Sequence, residues 1–68
     1  MTWNKCTERL PEVGMLVIAK ETTNDDVDYH ADTVRIDRDS TPYIGNVYSG
    51  FIHFLPNSEI QWKEIEKD

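Results

Sequence analysis

Thirteen carboxylates stand among the 68 residues, and two groups of them lie close enough in sequence to act together. Asp25, Asp26 and Asp28 share the stretch "NDDVD", and Asp37 and Asp39 flank Arg38. Clustered carboxylates suit a hard cation such as calcium. An EF-hand loop, however, alternates oxygen ligands, places glycine sixth and closes on a bidentate glutamate at the twelfth position. Counted from Asp25, those two positions hold His30 and Ile36. The motif fails, and no metal ligand is assigned. The aspartates are expected in solvated loops, with recognition of a partner as their functional alternative.

Acid–base and nucleophilic chemistry find no better footing. His30 and His53 are the candidate acid–base groups by residue type, but each stands alone, and a lone histidine in a strand is usually structural or exposed. Cys6 has a basic neighbour in Lys5, which would lower its thiol pKa slightly. Ser40 and Ser49 lack the flanking pattern of a nucleophile elbow. Cys6, His30 and His53, with no close spacing, are too few for a closed zinc site of four ligands. The chain therefore reads as non-enzymatic, with no catalytic residue and no cofactor.

Aromatic side chains are the remaining resource: Trp3, Tyr29, Tyr43, Tyr48, Phe51, Phe54 and Trp62. So short a chain must bury most of them. Tyr43 and Tyr48, flanked by Gly and Asn, are expected to stay exposed, and tyrosines beside carboxylates suit the centre of a protein interface. The candidate partner-binding set is Asp25, Asp26, Asp28, Asp37, Asp39, Tyr43 and Tyr48.

Charge narrows the partner. Thirteen acids against seven bases leave −6, which argues against direct contact with nucleic acid, where Lys and Arg must displace counterions from phosphates. It argues equally against an anionic membrane surface. A charge of this size also serves solubility alone, and otherwise fits a partner protein with a basic surface. The longest apolar run, Met15 to Ala19, is far short of the roughly 20 residues of a membrane span. The first residues lead into no apolar segment of the signal-peptide kind, and a single free thiol suits a reducing compartment. The expected setting is the cytoplasm.

The positioning elements are short. A chain of 68 residues forms a single domain, residues 1–68. It buries only about 60% of its unfolded surface, so self-association into a homo-oligomer is a fair expectation. Thr7-Glu8-Arg9-Leu10 fits one helical turn, stopped by Pro11. Met15 to Ala19, bounded by Gly14 and polar residues, reads as a strand covered on both faces. Asn24 to Asp28 reads as a loop, and Tyr29 to Asp37 as a strand buried near Val34 and Ile36. Tyr43 to Leu55 is divided at Gly45-Asn46 and Ser49-Gly50 into hairpin turns or bulges. Glu59 to Ile65 alternates, with Ile60 and Trp62 on one side. The expected fold is mostly β: a small curved antiparallel sheet or open barrel of four to five strands, with at most one short helical turn near the N-terminus. Trp3 and Trp62 are expected to close its core and bring the termini together.

The opening "WNKCTERLPEVGMLVI", residues 3–18, resembles a phage and prophage family catalogued as domain of unknown function 551. Its members typically begin with tryptophan, a polar stretch, "RLPE", a glycine and a "VLV" strand, and close on a tryptophan after a short strand. Arg9-Leu10-Pro11-Glu12, Gly14 and Leu16-Val17-Ile18 match the opening, and Ile60-Gln61-Trp62 stands where the closing strand would be. The family's usual ending is "WMPLP"; here Trp62 is followed by Lys63-Glu64-Ile65. The resemblance implies a phage accessory gene and brings no catalytic residues.

Two functions follow as expectations. The first is a phage accessory protein that binds a host protein, a defence or nucleic-acid-handling factor, through an acidic and aromatic surface. The alternative is an oligomeric sponge for a nucleotide signal, which would need Arg9, Arg35 or Arg38 gathered at one place. A metal-dependent enzyme built on the aspartates ranks third.

Overall fold

The computed structural model describes residues 3–65. Their regular structure is entirely strand: β1 (Asn4–Lys5), β2 (Leu16–Thr23), β3 (Asp26–Thr33), β4 (Arg35–Ile36), β5 (Pro42–Asn46), β6 (Gly50–His53) and β7 (Gln61–Glu64). They form a four-stranded sheet in the order β1-β7-β2-β3 and a three-stranded sheet in the order β4-β5-β6, every pair antiparallel. The mostly-β expectation holds. The five longer strands match the expected count, two-residue strands extend the sheet edges, and the sheets do not close into a barrel.

The expected helical turn at Thr7–Leu10 is a hydrogen-bonded turn instead, in which Glu8 and Arg9 both donate their backbone N–H to Lys5 O at 2.9 Å. Pro11, two residues on, lacks an N–H to continue a helix. The turn carries Leu10 onto the core.

Val17 and Ala19 of β2 alternate with Leu16 and Ile18, so one set is fully buried and the other half-buried. The buried set meets Trp62 of β7, Ile44 of β5, Cys6, Val34 and Phe54, with Leu10, Met15, Ile52 and Ile60 packed around them. The expected alternation of Ile60 and Trp62 is what delivers both to this core. Fully burying a side chain such as Phe54 or Val17 contributes roughly 1.5–3 kcal/mol; no charged side chain is buried among the described residues.

Three expectations are corrected. Asn24 to Asp28 is not a loop: β2 and β3 pair as far as Thr23 with Asp26, leaving Asn24 and Asp25 as a two-residue turn, with Asn24 at φ +53°. Asparagine tolerates that left-handed backbone. Asp26 and Asp28 are strand residues, because Val27, Tyr29, Ala31 and Thr33 alternate against Asp26, Asp28, His30 and Asp32 along all of β3. Ile36 is not buried, being 50% exposed at the rim of the second sheet opposite Pro42. Only Val34 is buried, where the chain crosses between the sheets, donating its N–H to Met15 O and accepting from Gly14 N, both at 2.9 Å. Trp3 is not core either. β1 does pair with β7, Asn4 opposite Trp62, so the two ends of the described chain meet. Strand alternation then sends Trp62 inward and leaves Trp3, half-buried, on the other face of the sheet.

Candidate functional site

The β5–β6 hairpin builds the most exposed aromatic surface. Cross-strand pairing places Tyr43 opposite both Arg35 and His53, and Gly45 opposite Phe51. With Ile44 and Ile52 facing the core, Arg35, Tyr43, Phe51 and His53 share the outer face. Tyr43 meets Phe51 edge-on at 5.6 Å between ring centroids and lies tilted against His53 at 5.5 Å. Such pairs hold rings in fixed orientations and add about 0.5–1.5 kcal/mol beyond area burial. Phe51 is 50% exposed, and Tyr48 at the hairpin tip is 95% exposed beside exposed Val47.

The tip has a defined backbone. Asn46 Oδ1 accepts from the N–H of Tyr48 (2.8 Å) and of Ser49 (3.0 Å), an Asx-type cap over a three-residue turn closed by Gly50 at φ +86°. Gly45 has φ +108°, and a Cβ there would lie 2.1 Å from Gly50 O, so only glycine fits. Tyr48 is thus presented on an ordered scaffold.

Asp37 and Asp39 flank this surface with unequal roles. Asp37 Oδ1 accepts from the N–H of Asp39 (2.8 Å) and of Thr41 (3.0 Å), which shapes the β4–β5 turn, and its Oδ2 lies 3.6 Å from His53 Nε2. Asp39 is exposed. The structure therefore brings Asp37, His53, Tyr43 and Phe51 together, with Asp39 and Tyr48 at the margins. Asp25, Asp26 and Asp28 lie apart, on the β2–β3 hairpin of the other sheet. Of the two tyrosines expected to be exposed, Tyr48 is so; Tyr43 is half-buried, because its neighbours are rings rather than the solvent implied by Gly45 and Asn46.

Phe51 and His53 were missed by reasoning from sequence. Their signal was present as an alternation, Phe51 and His53 against Ile52 and Phe54, but two apolar sets in one strand do not say which faces water.

The four-stranded sheet sorts its charges by face. Outward, opposite the core, point Lys5, Gln61, Lys20 and Tyr29 in one cross-strand row, with Lys63, Ile18 and Ala31 in the next. Leu16, Thr33, Thr22 and Val27 complete the outward strand residues, which include no carboxylate. Glu21, Asp26, Asp28, Asp32 and Glu64 all point the other way. Trp3 lies among the lysines, with Lys20 Nζ and Lys63 Nζ each 4.7 Å from its ring centroid and Tyr29 at 6.1 Å.

Asp32 joins the sheets. Its Oδ1 accepts from Thr33 N at 2.7 Å and its Oδ2 from Gly45 N at 3.0 Å. Beside it, an open pocket of about 330 Å³ is lined by His30, Asp32, Ile44, Asn46, Ser49 and Ile52. His30 Nε2 is shielded from solvent and has no hydrogen-bond partner among the described residues. A second open pocket, about 410 Å³, is lined by Lys5, Thr7, Asn57, Ser58, Glu59 and Gln61. Neither is lined by arginine. Arg9 lies over the Trp62 ring at 5.8 Å, while Arg35 belongs to β4 and Arg38 to the turn that follows.

Cys6 is buried, and desolvation pushes its thiol pKa up, opposite to the expected influence of Lys5. Among the described residues no group of three or more His, Cys, Asp or Glu side chains is arranged to hold a metal ion. No helix among them is long and apolar enough to cross a membrane. No family model matches the chain, and no match to it is found among curated proteins or solved structures.

Proposed function

We propose that this chain is a non-enzymatic phage accessory protein that binds a host protein through the outer face of the three-stranded sheet. The observation that carries the reading is the Tyr43–Phe51–His53 cluster, half-exposed on the sheet and extended by Tyr48 at an ordered hairpin tip. Aromatic anchors at the centre of a patch with polar residues at its rim are the usual anatomy of a protein interface. Asp37 and Asp39 place negative charge at that rim, and the net charge of −6 favours encounter with a basic surface. The phage setting rests on the residues of the opening, Trp3 and Arg9-Leu10-Pro11-Glu12, and the target class on the charge: a host defence or nucleic-acid-handling factor is commonly basic where it holds its substrate.

The test is capture from host lysate with the immobilised chain, run beside two variants. Tyr48→Ser combined with Phe51→Ser removes the aromatic centre without touching the core. Asp25→Lys, Asp26→Lys and Asp28→Lys together reverse the charge of the β2–β3 hairpin. A basic protein captured by the parent and lost with the aromatic variant supports the reading. Loss only with the triple reversal moves the interface to the other hairpin. Capture that survives both would sink the proposal.

A further inference from the structure

We propose that the outward face of the four-stranded sheet binds single-stranded nucleic acid, with Lys5, Lys20 and Lys63 on the phosphates and Tyr29, with Trp3, as the stacking platform. Net charge argued against such a ligand, but net charge is an average over the whole surface. Strand register separates the charges here, sending three lysines to one face of the sheet and the carboxylates of the same strands to the other. At physiological ionic strength the Debye length is about 8 Å, so solvent-exposed carboxylates farther than that from the lysine face act only weakly on a ligand there.

The lysines make no ion pair among the described residues, and the one carboxylate lining a pocket with them is Glu59, beside Lys5 and Gln61 at the sheet edge. Lys20 and Lys63 converge on the Trp3 ring, and Tyr29, 59% exposed, stands 6.1 Å from that ring. Cations interleaved with accessible aromatic rings on a sheet are what sequence-tolerant recognition of single strands requires, phosphates meeting ammonium groups and bases stacking on rings. The other occupants fit less well. A second copy meeting this face by two-fold symmetry would set lysines against lysines. An acidic protein segment would be better served by arginine, whose planar fork matches a carboxylate, and this face has none; lysine contacts phosphate as a point charge.

The experiment uses the full chain and fluorescein-labelled oligothymidylate and oligouridylate, followed by anisotropy from low to physiological salt. The expected result is binding of the single strands, with log affinity falling against log salt at a slope of about −2 for three phosphate contacts. Lys20→Glu with Lys63→Glu should weaken binding at least about tenfold. Tyr29→Ala should weaken it by roughly five- to a hundredfold with the salt slope unchanged. Circular dichroism establishes that each variant is folded, and Phe51→Ser, on the other sheet, should bind like the parent, so this surface and the host-protein surface fail separately. No anisotropy change at low salt overturns the proposal, as does equal binding by the lysine variant. A polyglutamate peptide that competes as well as the oligonucleotides assigns the face to acidic protein and overturns it too.

Discussion

The indole N–H of Trp62 donates to the backbone carbonyl of Arg9 at 3.0 Å, across 53 positions of sequence. This one bond ties the last strand to the turn that follows the first. It also satisfies the polar atom of the largest buried side chain, which would otherwise cost free energy in the core. Replacing Trp62 with Phe keeps one aromatic ring, removes the donor and leaves a cavity where the second ring packed. The expected loss is about 1–3 kcal/mol, against roughly 3–10 kcal/mol for the whole of so small a domain. Thermal unfolding should show a Tm lower by roughly 5–20 °C. An unchanged Tm would mean that the bond contributes nothing.

Gly45 is held from two sides, its N–H by Asp32 and its α-carbon by the approach of Gly50 O. Gly45→Ala should therefore cost more than about 3 kcal/mol, since overpacking and left-handed strain act together. Gly14→Ala is the control, because that residue also has positive φ but open space around it, and strain alone should cost about 1–2 kcal/mol. Denaturant midpoints for the two variants check the order. Equal midpoints would refute the close approach.

Asp37 and Asp39 differ in work though not in chemistry. Asp37→Ala removes the acceptor for two backbone N–H groups and should lower stability by roughly 1–2 kcal/mol. Asp39→Ala should stay within about 0.5 kcal/mol of the parent, as exposed substitutions usually do. Asp39 is for that reason the cleaner probe of partner binding; urea unfolding of both variants decides whether the division holds.

Burial raises the Cys6 pKa in the folded protein above its unfolded value. Above the unfolded pKa, near 8.5, the unfolded chain loses a proton that the folded chain keeps, so ionisation favours unfolding. The contribution is whole below that pH and declines as pH rises towards the folded pKa. Parent and Cys6→Ala should show a stability difference that shrinks between pH 8 and pH 10. A thiol reagent should label the native protein far more slowly than the denatured one, and equal rates would contradict the burial of the sulfur.

Much of the fold was legible along the chain, because apolar alternation is local. Leu16 to Ala19 and Ile60 to Trp62 carry their strand character in composition and period, and the punctuation at Gly45-Asn46 and Ser49-Gly50 falls where the hairpin turns. Asp26 and Asp28 were not legible as strand, since aspartate favours turns unless a paired neighbour holds the backbone extended, and Lys20 to Thr23 supplied that pairing from outside the window. Which face of each strand meets water is set by register and by how two sheets pack, and both depend on residues far apart in sequence. Tertiary structure therefore decided that Trp62 is core and Trp3 is not, that Phe51 is exposed and Phe54 buried, and that the lysines and carboxylates of one sheet part company.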